Sequence, residues 1–375
     1  MDRLTGVPDA LRGELDAAAR AATAATAGLA DFLRHDLLPL ARDSDACGPE
    51  VHARAARYFL GAAVDPAEAY AWSWDEIARL RAEQAKVCNL IRPGATRAEA
   101  VAVLEQDRRI AGPENFRAWM QDLADRAIAE LDGTYFDIPA PARRIEAVIA
   151  PTGDGGIWYT PPSADWSRPG RMWWSVPAGL DTFSTWKEVT NVHHEGVPGH
   201  HLQVAQAIAG QDHLNRWQRL LCWVPGHGEG WAVYAERLMG ELGYLDDPGL
   251  RLGMLDGQLM SAANVALDLG VHLELEIPKG TGWPAGQRWN AELAWDFLRA
   301  HSSWDERMLR FELHRYLGWP GQVLSYQLGQ RSWLQAREEA RQRAGAAFSL
   351  KDFHSRALSL GSMGLAPLRE ALAQL

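Results

Sequence analysis

The chain has 375 residues, 47% of them hydrophobic and 23% charged, with a formal net charge of -10. That composition fits a globular chain with a substantial core and excludes a disordered one, and the acidic balance argues against nucleic acid, whose binders carry a basic patch. Three cysteines, Cys47, Cys88 and Cys222, stand far apart with no CxxC pair, so neither a disulfide framework nor a thiolate metal site is expected.

The first residues, MDRLTGVPDALRGELD, lack an apolar core with a cleavage site, and no apolar run approaches the roughly 18 residues of a membrane span. A cytoplasmic protein with no membrane partner is the expectation. From Pro8 to Leu38 the positions Leu11, Leu15, Ala22, Leu29, Leu33 and Leu37 keep helical spacing until Pro39, predicting one long amphipathic helix. Asp65-Pro66-Ala67-Glu68 reads as a helix start, with Asp at the cap, Pro at the first position and Glu placed to reach back. Ile77, Leu80, Val87 and Ile91 then form the buried face, with Gln84 polar among them. Thr96-Arg97-Ala98-Glu99 reads as a capping box, and Pro113 opens a helix with Phe116, Met120, Leu123 and Ile128 inward.

After Gly133 the pattern changes. Ile145 to Ile149, Gly156 to Tyr159 and Met172 to Val176 are short, β-rich and bounded by turn residues, which predicts a small antiparallel sheet. Such a sheet can offer an edge to an extended peptide, with Trp158 and Tyr159 as candidate substrate contacts. Phe183, Trp186 and Val189 set the buried face of the next helix. Further helices are expected over Leu214 to Trp223, Glu229 to Leu242, Pro248 toward Glu276, from near Ala285, Trp304 to Tyr316, from Pro320, after Ser349, and Leu365 to Leu375. The fold class expected is mainly α, one catalytic domain over 1–375, with a helical part at 1–132, the sheet at 133–180, and the remaining helices at 181–375. The site is expected in a central cleft between the helical halves.

Between two of these helices lies His193-His194-Glu195-Gly196-Val197-Pro198-Gly199-His200-His201, four imidazoles and a carboxylate in nine residues. Neutral imidazole is the commonest zinc ligand, and a glutamate beside a metal-activated water is suited to hydrolysis. The usual helical signature sets its histidines four apart. Here the gap from His194 is six or seven, and at about 100° per residue neither distance is decisive, because Pro198 and Gly199 predict a kink or bulge between Glu195 and His200. Spacing alone leaves His200 and His201 open as the second ligand. A third ligand is expected from Glu229, in the first turn of a helix after Pro225-Gly226-His227-Gly228. Glu236, two turns later on the same face, is a carboxylate placed to orient a histidine.

HEGVPGHHLQ, EGWAVYAERL, the DLGVH of Asp268 to His272, PGQVLSYQLGQ from Pro320 and the closing FHSRALSLGSMGLAPL occur in this order and together resemble the bacterial "domain of unknown function 885" proteins. The resemblance runs from roughly residue 50 to the C-terminus and implies a gluzincin-like zinc metallopeptidase: His194 and His200 as ligands, Glu195 as general base, Glu229 as third ligand. It favours His200 over His201, which becomes a supporting residue or alternative ligand. Members of the family usually carry a longer N-terminal region.

The remaining candidates follow from residue chemistry. Asp268 stands four before His272 on a helix, so it can orient that imidazole toward a developing oxyanion. Tyr326 is a possible phenol donor to the same charge, and Arg315 a fork for a substrate carboxylate. The expected function is zinc-dependent hydrolysis of a peptide or other amide bond. Two alternatives use the same residues: a non-haem iron oxygenase, which has no need of Glu195, and a metallopeptidase-like binding protein without turnover.

Overall fold

The computed structural model describes residues 8–153 and 155–374, so the leader reading of Met1 to Val7 lies outside the described residues. The chain forms two compact units, 1–45 and 46–375, in place of the single body expected over its whole length. The first unit is α1 (Asp9–Phe32), continued by a π turn over Leu33–Leu37 and a 3-10 turn over Leu38–Leu40 that takes in Pro39. Its stripe of Leu11, Leu15, Leu29, Leu33 and Leu37 is exposed.

The second unit holds the rest, and its first helices start where local chemistry directs. In α2 (Pro49–Leu60) and α3 (Pro66–Ile91) proline occupies the first turn, where its missing N–H has no helical partner anyway. Asp65 caps α3 by accepting from the amides of Ala67 and Glu68. Glu68 does not reach back as expected but pairs with Arg331 at 2.6 Å. The Thr96–Glu99 capping box opens α4 (Arg97–Asp107). A short β1 (Arg109–Ala111) leads to α5 (Pro113–Leu131).

Then come β2 (Ile145–Ile149), β3 (Ile157–Thr160), β4 (Gly170–Trp174) and β5 (Thr182–Ser184). The three-stranded sheet is mixed, not antiparallel as expected: its order is β2-β4-β3, with β2 parallel to β4 and β3 antiparallel to it. Strand β4 sits in the middle with Gly170, Met172 and Trp174 buried and the alternate residues less so, the period of two that a pleat imposes. β1 and β5 form a separate antiparallel pair.

The remaining helices are α6 (Glu188–Glu195), α7 (His200–Ala209), α8 (Arg216–Leu220), α9 (Pro225–Glu241), α10 (Pro248–His272), α11 (Ala291–Ala300), α12 (Glu306–Gly318), α13 (Leu324–Ala344), α14 (Leu350–Ser359) and α15 (Leu365–Ala373). α8 is shorter than Leu214 to Trp223. α11 begins at Ala291, capped by Asn290, because the stretch around Pro284 and Gly286 is turn. α13 begins four residues after Pro320. α10 is apolar nearly all round and is buried accordingly. It packs along α3 while α9 packs along α13. The second pair approaches closely at glycine: a Cβ on Gly230 would overlap the backbone of Gly329. Truncating a fully buried leucine of α10, such as Leu267, costs about 2–5 kcal/mol by loss of contact and the cavity left behind.

Candidate metal centre

The nine-residue stretch spans a break between two helices at 196–199, a larger departure than the kink or bulge expected. α6 makes its last turn with the Gly196 amide donating to Val192 at 2.8 Å, and α7 begins at His200. In the loop between, Pro198 has no amide to continue the helix, and a Cβ on Gly199 would overlap the His194 carbonyl. His193 closes the loop from within: its buried ring donates to the Val197 carbonyl at 3.2 Å, and burial lowers its pKa to about 4. From the other side the Trp231 indole donates to the carbonyl of Pro198 at 2.8 Å. α9 starts at Pro225, a turn earlier than expected, so Glu229 lies in its second turn.

This break brings His194, His200 and Glu229 together, with one ligand atom of each within 4.8 Å of the others. Glu229 Oε2 is 3.5 Å from His194 Nε2 and 3.4 Å from His200 Nε2. Ligands about 2.0–2.1 Å from a tetrahedral zinc lie roughly 3.4 Å apart, so the spacing fits that ion, and two imidazoles with one carboxylate is a donor set of catalytic zinc sites. The other nitrogen of His194 is held by Glu236, at 2.7 Å from Nδ1 to Oε1, and Thr190 donates to the second oxygen of Glu236 at 3.0 Å. The His194 ring therefore lies between two carboxylates of one helix face, with Nε2 turned toward Glu229 and His200. His200 is backed differently, by the ring of Trp223 edge-on with centroids 5.4 Å apart.

Burial pushes the Glu229 carboxyl up, but the charge of His200 and hydrogen bonds from both histidines outweigh it and hold the group far below its ordinary value. Burial disfavours the charged form of His194, yet Glu229 and Glu236 together raise its pKa well above the ordinary one. Glu195 is 5% exposed, and its Oε2 has no hydrogen-bond partner. Burial raises its pKa, with the two histidines only partly offsetting that.

These groups line a cleft of about 730 Å³. Its walls come from β3, α6, α7, α8, α9, α10, α12 and α13, and among the described residues none before Gly156 contributes. The expected position between N-terminal and C-terminal halves is thus corrected: α3 and α5 pack against α10 and α6, which form the wall, and do not reach the cleft themselves. β3 is an outer strand of its sheet and contributes Trp158 and Tyr159 to the wall. Tyr326 also reaches the cleft, its phenol pushed up by burial and by the charge of Glu229.

Other candidates are engaged elsewhere. His201 donates to the Ala142 carbonyl at 2.8 Å and accepts from the Tyr159 hydroxyl at 2.9 Å, so both ring nitrogens are occupied away from the three donors. His272 does not reach the cleft. Its Nε2 donates to the Tyr316 carbonyl at 3.0 Å, and Asp268 instead bonds His52 at 2.6 Å and the Gly321 amide at 2.9 Å. Arg315 lines the cleft, but its guanidinium is bound to Glu312 and Gln322. Thr190, Trp223 and Trp231 support the site without being legible as site residues in the sequence; the only signal is that Trp231 lies inside the EGW motif.

Sequence comparison matches residues 2–372 to a bacterial family described as proteins of unknown function, DUF885. No curated protein matches the chain. Among solved structures, a candidate lipoprotein from Colwellia psychrerythraea superposes with a TM-score of 0.77 at 27% identity, over 90% of this chain and 58% of that one. A candidate lipoprotein of unknown function from Shewanella oneidensis gives a TM-score of 0.69 at 19% identity, over 98% of this chain and 68% of that one. The chain spans less than two thirds of the first of these. Among the described residues no helix is long and apolar enough to cross a membrane.

Proposed function

The chain belongs to the bacterial DUF885 family, whose description leaves its chemistry open, and from the site itself we propose a zinc-dependent hydrolase of a peptide or other amide bond, gluzincin-like in its donor set. The observation that carries this is the convergence of His194 and His200 on Glu229 at 3.5 and 3.4 Å, beside a glutamate oxygen that no protein group satisfies. His194, His200 and Glu229 would hold the ion, and Glu236 fixes which nitrogen His194 offers. Zinc bound there would polarise the scissile carbonyl and make water acidic enough to attack at neutral pH.

The protein's own groups do the rest. Glu195 takes the proton of the attacking water and returns it to the leaving amine; burial that raises its proton affinity suits both halves of that task. Tyr326, a phenol that stays protonated in the cleft, donates to the negative charge that develops on the carbonyl oxygen. The outer strand β3 supports a peptide substrate, since an extended chain can add to it by main-chain hydrogen bonds. An iron oxygenase could use the same three donors, but it leaves Glu195 without a task.

The test is metal analysis of protein purified without added metal, followed by digestion of a peptide library. About one zinc per chain and cleavage abolished in Glu195→Gln are expected. Stoichiometric iron without zinc would replace the reading by the oxygenase, and metal-free native protein by a binding protein without turnover.

A further inference from the structure

A cleft whose floor is carboxylate and imidazole has an apolar mouth. Trp223 is 42% exposed, Leu221 75%, Phe311 48% and Trp158 37%, and all four line the same cleft. They come from three places: the segment after α8, helix α12 and strand β3. Large aromatic surfaces left in water are costly, and where they gather they mark a binding site.

Trp223 is the most tightly specified of them. Its ring lies edge-on to His200, with 66° between the planes. On another side it presses on α9 so closely that a Cβ on Gly228 would overlap it. The tryptophan is thereby pinned directly beside a candidate ligand, and the surface it leaves uncovered faces the cleft. Trp158 is likewise held flat, stacked on Trp173 with 5° between the rings.

The charges around the cleft are mostly spoken for. Lys187 pairs with Glu105 at 3.7 Å, Arg315 with Glu312, and Asp256 with Arg97. Arg219 differs: its Nε donates to the Ile208 carbonyl at 3.0 Å, and none of the ion pairs among the described residues includes it. One cation at the rim is thus set against four apolar side chains.

We propose that the cleft selects substrates with a large apolar or aromatic side chain next to the scissile bond, and that Trp223 is the residue that reads it. The inference rests on the metallohydrolase reading and adds the substrate class to it. Three hydroxamates separate the two ideas when titrated calorimetrically into the zinc-loaded full chain: acetohydroxamic acid has no arm, 3-phenylpropionohydroxamic acid an aromatic arm, and succinic monohydroxamic acid an anionic arm. The aromatic arm should tighten binding at least about tenfold over acetohydroxamate, and the anionic arm should not. In Trp223→Ala the aromatic arm should bind no tighter than acetohydroxamate does to that same variant, and Trp223→Phe should keep most of the gain.

Equal affinity for the three arms in the unaltered protein overturns the proposal without any variant having to fold. So does a gain that survives in folded Trp223→Ala, or a preference for the anionic arm that disappears in Arg219→Gln. If the chain takes up no zinc, or binds no hydroxamate once loaded, the metal reading itself fails and the substrate class fails with it.

Discussion

The protein holds two clusters of histidine and carboxylate, one buried and one in a cleft wall, and they are built to opposite ends. In one, His52, Asp268 and His272, the carboxylate is turned onto protein partners: Asp268 accepts from His52 and the Gly321 amide, and His272 Nε2 donates to the Tyr316 carbonyl while its own carbonyl accepts from Gly48. In the other, His194 and His200 each turn Nε2 toward Glu229, at 3.5 and 3.4 Å, in the wall of a cleft. The same residue types thus make a tie between α10, α2 and the loop before α13 in one place, and a donor set in the other. What separates them is exposure and convergence: the first cluster is buried throughout, whereas His194 and Glu229 are half-buried and come together with His200 in the wall of a cleft.

Removing one member of each cluster should break this comparison most visibly. Glu229→Ala should take the metal content from about one zinc per chain to near none, because two imidazoles alone leave the ion underheld. Asp268→Ala should leave the metal in place and cost about 1–3 kcal/mol of stability for each of the two groups it strands, a buried imidazole and an amide. Metal analysis and urea unfolding of both variants check this together. An Asp268→Ala protein that folds normally but loses its metal would mean that the two clusters are one system.

A smaller effect probes the support behind the donors. Glu236 touches no other candidate ligand than His194, and Glu236→Ala should weaken zinc binding roughly 10–100-fold, as loss of an orienting carboxylate does. Competition with a chromophoric chelator measures it. His201→Ala should change zinc affinity by less than that, since His201 is bonded to Tyr159 and Ala142 instead.

How far the sequence disclosed these arrangements depended on how local their causes were. The capping box at Thr96 and the caps at Asp65 and Ser349 are chemistry within four residues, and they stand as expected. The heptad spacing of Glu229 and Glu236 put both on one face of a helix, which is enough to explain why they bracket one imidazole. The same kind of reasoning failed for Asp268 and His272. Four residues apart on α10, they stand only at 4.0 Å, because His52, 216 positions away in the chain, takes the carboxylate instead. Direct parallel pairing of β2 with β4, which skips β3 in the sequence, is equally a product of tertiary order, and no alternation of side chains announces it. Trp223 could not have been found either: the glycine that makes room for its ring, Gly228, reads in sequence only as a helix breaker.

The gentlest contrast is in how histidines respond to acid. His194 is held charged more readily than usual by its carboxylates, whereas His301 and His354, away from the cleft, are buried as neutral rings. Burial lowers the pKa of each to about 3, helped by the charges of Arg81 and Arg97 at His301 and of Arg337 at His354. An unfolded histidine titrates near 6.5, so between that pH and about 3 the unfolded chain binds the proton that the folded one refuses. Stability from these residues is therefore complete above pH 6.5 and is lost as the pH falls below it, by about 1.4 kcal/mol per pH unit for each histidine. His354 accepts from the Tyr234 hydroxyl at 2.7 Å and stacks on Phe136, so His354→Gln keeps a polar group there that does not titrate. Its unfolding free energy should be lower than that of the unaltered protein at pH 7.5 but should fall less steeply toward pH 5, by about the slope of one histidine. Urea titrations at four pH values across that window, with the metal chelated in both proteins, isolate the term. Identical slopes would mean that the ring is already protonated in the folded state, with Arg337 displaced from beside it.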